Sequence, residues 1–203
     1  MPKSFYYNGT MNRSLLLGIF FFSSFLCATA PPGFFKRFPN RFFVETGSYD
    51  GEGIAQAIQA GFPEIHSIEL SELFHAKCRE RYSKQSNVHL WLGDSGEILE
   101  TVIGAIPKPI TFWLDGHWSG DPTARGKTNT PILLELEAIQ RHPIKTHTIL
   151  IDDIRCFGCE EFDFIKLSTI VRKIYQINGN YRITYARGHR HNDILVAQVL
   201  FIP

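Results

Sequence analysis

Phe42-Phe43-Val44-Glu45-Thr46-Gly47-Ser48-Tyr49-Asp50-Gly51-Glu52-Gly53 begins as an apolar run and passes into a glycine-rich turn. The run reads as a strand, and Gly53 to Ala60 as a helix with Ile54, Ala57 and Ile58 on one face and Gly61 as its stop. Glycines at such a junction let the backbone turn tightly and approach a ligand, and the helix N-terminus that follows favours polar ligands. The stretch is therefore one βα unit with a site at its turn, and the chain beyond it repeats the pattern.

Ile65 to Leu70 is a second strand, and Ser71 caps a helix through Tyr82 in which Phe74, Cys78 and Tyr82 recur every four residues. Val88 to Leu92 is a third strand, followed by a helix from Ser95 to Ile106 closed by Pro107. Ile110 to Leu114 is the fourth, and a long polar loop leads to Thr130-Pro131, which reads as an N-cap with proline at the first helical position of a helix to about His142. Thr148 to Ile151 is the fifth strand, and Phe164, Leu167, Val171 and Ile174 mark a helix stopped at Asn178-Gly179. Tyr181 to Ala186 and Ile194 to Phe201 then follow with no helix between them, as a hairpin. The expected fold is α/β: a Rossmann-like, doubly wound, mostly parallel seven-stranded sheet with a C-terminal antiparallel hairpin, spanning residues 42–203.

Composition narrows the function classes. The chain has 203 residues, 44% of them hydrophobic and 20% charged, enough for one buried core and incompatible with global disorder. Lys+Arg number 21 against Asp+Glu 20, so no polycationic surface grips nucleic acid, and none is expected as a partner. Four cysteines are too few for a disulfide scaffold.

Residues 1–30 stand apart. Lys3 and Arg13 precede the apolar run Leu15 to Leu26, Ala28-Thr29-Ala30 follows it, and the segment contains no acid. That order reads as a signal peptide cut after Ala30, with export to the periplasm or beyond. The apolar run is twelve residues long, short of the roughly 20 a spanning helix needs, so an uncleaved anchor, with the membrane as partner through that segment, is the lesser alternative. Residues 31–41 read as a linker or lead-in, with Phe34-Phe35-Lys36-Arg37-Phe38 packing as a short helix or meeting a membrane surface.

Ligands of such sheets bind beyond the carboxyl ends of the strands. The first strand ends on Glu45, the second on Glu69, twenty-two residues after Gly47, and the third on Gly93-Asp94-Ser95. Glu69 has the spacing of a carboxylate that accepts hydrogen bonds from a ribose diol, and Asp94 is placed for an adenine-like amino group. The glycine pattern is E-x-G-x-x-x-G and not the G-x-G-x-x-G of nicotinamide sites. Glu45 would repel a pyrophosphate but suit a cationic ligand such as S-adenosylmethionine.

With these residues the chain resembles the class I S-adenosylmethionine-dependent methyltransferases over Phe42 to Phe201, the final hairpin included. The resemblance implies a cofactor site of Glu45, Gly47, Ser48 and Gly51 at the methionine side, Glu69 at the ribose and Asp94-Ser95 at the adenine. It departs at Tyr49, where many members have a second glycine. Within the superfamily it is most similar to the metal-dependent, macrocin-type sugar O-methyltransferases, through Glu45-Thr46-Gly47, Leu114-Asp115-Gly116 and Ile151-Asp152-Asp153. Asp115, Asp152 and Asp153, oxygen ligands only, suit Mg²⁺, which could bind two substrate oxygens and acidify the hydroxyl to be methylated. The same acids could instead cap loops.

His117, at the same rim as Asp115, could take the hydroxyl proton or simply bond a neighbouring acid. Trp118 could form a sugar-stacking wall, and the loop Ser119 to Asn129 is long enough for a substrate lid in which Arg125 and Lys127 would suit an anionic acceptor. Cys156-Phe157-Gly158-Cys159 could form a local disulfide, while His189 and His191 read as solvated turn residues.

The expected activity is methyl transfer to a hydroxyl of a small molecule or glycan. Because S-adenosylmethionine is made in the cytosol, export also raises a non-catalytic, methyltransferase-like binding domain. An NAD(P)-dependent oxidoreductase fits the fold but lacks the glycine spacing.

Overall fold

The computed structural model describes residues 30–199; the leader reading of residues 1–30 lies outside them apart from Ala30, as does the end of the last expected strand. The elements run β1 (Phe42–Thr46), α1 (Glu52–Ala60), β2 (Glu64–Glu69), α2 (Glu72–Arg81), β3 (Val88–Leu92), α3 (Ser95–Ile103), β4 (Ile110–Leu114), α4 (Ile132–Arg141), β5 (Thr148–Ile151), α5 (Leu167–Ile177), β6 (Tyr181–Ala186) and β7 (Ile194–Val199). One sheet has the order β3-β2-β1-β4-β5-β7-β6. Only β7 runs against its neighbours, wedged antiparallel between β5 and β6. Strand order reverses between β1 and β4, which opens the switch-point crevice where ligands of such sheets bind.

Alternation along the central strands sorts the core into two layers. Phe42, Val44, Phe112 and Leu114 face Leu99, Leu136, Ile139, Ile170 and Ile174 from α3, α4 and α5. Phe43, Trp113 and Leu150 face the opposite way, onto Ile54, Ala57, Phe62 and Cys78. Strands buried on both faces need near-continuous apolar runs, and all five positions of β4 are buried.

The lead-in belongs to the second layer. Phe34–Arg37 forms a 3-10 turn, and the Phe35 ring lies 4.8 Å from Phe43 and 5.2 Å from Trp113. Each such buried aromatic contributes about 1.5–3 kcal/mol, so this segment packs as part of the core and not as a linker or a membrane-facing surface. Ala30 is also buried, and its carbonyl accepts from Gln56 Nε2 at 2.7 Å.

Three boundaries differ from the sequence reading. α3 stops at Ile103, and the chain reaches Pro107 through a single turn closed by Ile106 N–H to Ile103 O. Pro131 is itself the N-cap of α4, because Asp163 Oδ2 takes the N–H groups of Asn129 and Thr130 and fixes the approach from outside the helix. Phe164 is exposed, sits at φ 55° and lies outside α5.

At the entry ends of β4 and β5 two histidines are joined. Ile110 N–H donates to His147 Nδ1 at 3.1 Å, His147 Nε2 meets His142 Nδ1 at 3.1 Å, and His142 Nε2 meets Ile106 O at 3.1 Å. The backbone donor fixes the first acceptor, so both rings carry their proton on Nε2 and the chain of bonds is complete.

Candidate active site

Between the exit ends of β1 and β4 lies a cleft of about 660 Å³, its open mouth included. Gly47, Glu69, Asp94, Ser95, Asp115 and His117 line it, with Ile68, Phe74 and Pro131 as apolar walls. The floor is a continuation of the sheet: Gly47 N–H bonds Ile68 O at 2.9 Å and Asp115 N–H bonds Thr46 O at 3.2 Å. A side chain on Gly47 would meet the Asp115 carbonyl at 2.6 Å, so only glycine, at φ 83°, permits this approach.

The loop after Gly47 turns through Tyr49 at φ 47°, a left-handed conformation that costs a bulky residue roughly 1–3 kcal/mol. Tyr49 is held by its ring on Phe74, 4.4 Å between centroids, and by its N–H donated to Glu69 Oε2 at 2.8 Å. The tyrosine thus adopts a backbone conformation suited to glycine and contributes to the cleft wall. Glu69 Oε1 accepts from Ser71 N–H at 2.8 Å, and burial pushes the Glu69 carboxyl above its usual range.

Not every expected cofactor residue reaches the cleft. Glu45 is buried behind it, with its carboxyl against the first turn of α1, where any side chain on Gly53 would collide with it. Ser67 Oγ donates to Glu45 Oε2, and the Ser48 and Ser67 hydroxyls are paired, so Ser48 also points away. Burial raises Glu45 to about 8. Gly51, at φ 88°, is the N-cap of α1; its crowding is against Tyr82, whose hydroxyl donates to Gly51 O at 2.6 Å. Asp94 caps α3 through Gly96 N–H at 2.9 Å, and the lid loop passes close enough that a side chain on Gly126 would strike its other oxygen. Ser95 donates to Glu135 Oε1 at 2.6 Å.

A second, smaller cavity shares Asp115 and His117 with the cleft and is completed by Glu135, Asp152 and Phe162. His117 Nδ1 lies 3.4 Å from Asp115 Oδ1; its Nε2 lies 3.5 Å from Asp153 Oδ2 and 3.1 Å from Ser119 Oγ. Burial lowers the His117 pKa and keeps the ring neutral. Burial, followed by the Asp153 charge, holds Asp115 well above the usual carboxylate range. Asp152 is pushed up to about 9 by burial and then by Asp115 and Asp153, and burial takes Glu135 to about 7.

The three acids expected to share a metal are split between two groups joined at Asp153. Asp115, His117 and Asp153 form one, and Asp152, Asp153 and Asp193 the other. Asp193 escaped the sequence reading because it lies in the hairpin connection; the register of β7 on β5 carries it to the rim. Arg155 donates to both Asp153 and Asp193. Asp152 Oδ2 and Asp193 Oδ1 are nonetheless buried without a partner, an expensive state for a carboxylate that a cation would relieve. The residues present therefore fit a divalent ion with oxygen ligands.

The lid starts at Trp118, whose N–H bonds Asn129 O at 2.7 Å and closes the loop at its base. Arg125 stacks over the Trp118 ring at 4.8 Å. The two cysteines of the C-x-x-C motif are free.

No family model matches the sequence, and a comparison with curated proteins finds no match. Solved structures do match. A candidate methyltransferase of Streptococcus mutans in complex with SAH superimposes with a TM-score of 0.54 at 13% identity, over 81% of this chain and 93% of that one. The O-methyltransferase TomG from Streptomyces achromogenes, in complex with SAM, gives 0.51 at 14% identity, over 79% and 74%. A candidate rRNA methylase from Clostridium thermocellum gives 0.51 at 13% identity, over 82% and 93%.

This chain shares their fold. The methyltransferase fold places β7 antiparallel between β5 and β6, as here, and so departs from the 3-2-1-4-5-6 order of dinucleotide-binding sheets.

Proposed function

We propose that the chain is an S-adenosylmethionine-dependent O-methyltransferase that acts on a hydroxyl of a small molecule or glycan with the help of Mg²⁺, in the manner of the macrocin-type enzymes. The observation that carries the reading is one switch-point cleft with Gly47, Glu69 and Asp94 along one wall and the Asp115–His117 pair along the other. Bound there, the cofactor supplies an electrophilic methyl group. Glu69 accepts from a ribose diol, and Asp94 and Ser95 flank the base. Phe74, Ile68 and Pro131 exclude water from the heterocycle, while Gly47 lets the backbone approach the methionine portion.

The nitrogen of the neutral His117 ring that carries no hydrogen would receive the acceptor's proton. Asp115 and Asp153 stand within 3.5 Å of its two nitrogens and stabilise the imidazolium as it forms. Asp152, Asp153 and Asp193 would hold the Mg²⁺, with Asp115 beside them; the ion supplies Lewis acidity toward the acceptor oxygen. The ion's charge would have to offset the burial that holds the proton on Asp152, so binding would release protons. The near balance of 21 basic and 20 acidic residues favours a small acceptor over a polynucleotide, and Trp118 with Arg125 would form its contact wall.

Titration calorimetry of S-adenosylmethionine into the full chain with Mg²⁺ tests the reading. Saturable binding weakened in Asp94→Ala supports it; no heat from a folded sample removes it. Export through residues 1–30 is part of the proposal, and the mass of the chain recovered from an exporting host reports the cut. Cleavage after Ala30 would discard the buried contact with Gln56, so a mature chain beginning at Pro31 should be measurably less stable than one retaining Ala30.

A further inference from the structure

A second cluster of metal-ligating side chains lies at the opposite end of β2 from Glu69. Glu64 and His66 share one face of β2, and His89 on the edge strand β3 is the register partner of His66. One donor atom from each lies within 4.8 Å of the other two. The His66 and His89 rings are stacked, with centroids 4.7 Å apart and planes 26° from parallel. Glu64 also pairs with Arg41 at 3.1 Å, an exposed ion pair of little strength that an ion could displace.

His66 supplies the independent signal. Its Nδ1 accepts from Trp91 Nε1 at 3.3 Å, which leaves the ring proton on Nε2. That nitrogen is sealed from solvent and has no partner. A half-buried imidazole with one orphaned nitrogen beside a second imidazole and a carboxylate is the donor set of a borderline divalent ion with open coordination positions.

We propose that Glu64, His66 and His89 form a surface site for Zn²⁺ or a similar borderline divalent ion, ligated through Nε2 of His66. Coordination moves the ring proton from Nε2 to Nδ1, so the indole N–H of Trp91 must leave that nitrogen. Trp91 is 36% exposed on an edge strand and can turn. Burial and the neighbouring His89 keep His66 neutral down to about pH 4, which leaves it available as a ligand. The site faces away from the cleft and does not depend on the methyltransferase reading.

The test is titration of the full chain with Zn²⁺, followed by heat and by tryptophan emission. Wild type should bind with a change in emission that Trp91→Phe abolishes. His89→Ala, at an exposed position, should lose at least tenfold in affinity together with the emission change. Asp153→Asn, which disables the rim acids, should keep both. The proposal is overturned if His89→Ala binds as wild type does, if Asp153→Asn abolishes the emission change, or if folded wild type gives neither heat nor emission change.

Discussion

β4 and β5 carry a buried polar cluster at each end, and the two are finished differently. At the entry end, the His142–His147 chain is complete from Ile110 N–H to Ile106 O. At the exit end, Asp115, Asp152, Asp153 and Asp193 crowd together, and two of their buried oxygens have no partner. A buried polar group costs little when each atom is satisfied and several kcal/mol when one is not. The entry end therefore behaves as architecture, whereas the exit end has unfilled demands that a ligand can meet.

The largest effect should come from the exit end. His117→Gln removes the base but keeps a polar ring-sized group, and should lower methyl transfer by about 10²–10⁴-fold with cofactor affinity nearly unchanged. Single-turnover kinetics beside calorimetry separates the two; equal losses in rate and affinity would break the assignment.

At the entry end the damage should be to stability. His147→Leu leaves Ile110 N–H unpaired and strips His142 Nδ1 of one of its two donors, the Ile144 N–H remaining, and should cost about 1–3 kcal/mol in urea unfolding. Burial holds His147 neutral to about pH 3, whereas in the unfolded chain it titrates near the ordinary histidine value of 6.5. Between those limits the unfolded state binds more protons, so His147 contributes stability that is lost as pH falls from 6.5 toward 3. The variant should show a flatter acid limb.

The contrast sharpens with Asp152→Asn above about pH 9, where the native carboxyl ionises against Asp115 and Asp153 and the substitution removes that repulsion. Its melting temperature without added cation should rise, while its response to Mg²⁺ should shrink; a fall in melting temperature would mean that Asp152 serves the fold.

The smallest effect on activity should come from Glu45, turned inward beneath α1 and partnered by Ser67, whose mark is a pH slope in stability. Its proton is retained up to about pH 8 in the fold but lost near 4.5 in the unfolded chain. The unfolded state thus binds fewer protons between these values, and stability falls as pH rises from 4.5 to 8. Glu45→Gln should remove that part of the slope.

Glycine turns and apolar runs identified the strands, because each run is bounded by punctuation that strands share. They also placed Glu69, Asp94, Asp115 and His117 at the rim, since each lies at or just past the exit end of its strand. Glu45 misled because its position along the chain says nothing of which way it points; it turned inward, beneath α1. Gly51 misled for a related reason, its crowded neighbour being Tyr82 and not a ligand. Asp193 and the His142–His147 pair were illegible because their meaning comes from partners brought close only by the sheet.

The Trp118–Asn129 hydrogen bond gives the lid a narrow waist. The loop leaves β4 and returns to α4 through one point, and Asp163 pins that point from outside. Segments hinged this way can be lengthened, shortened or exchanged without re-registering the strands beneath them. On the proposed function, acceptor contacts made by this loop would diverge while the floor beneath stayed fixed, and grafting a foreign loop between residues 118 and 129 would change those contacts alone.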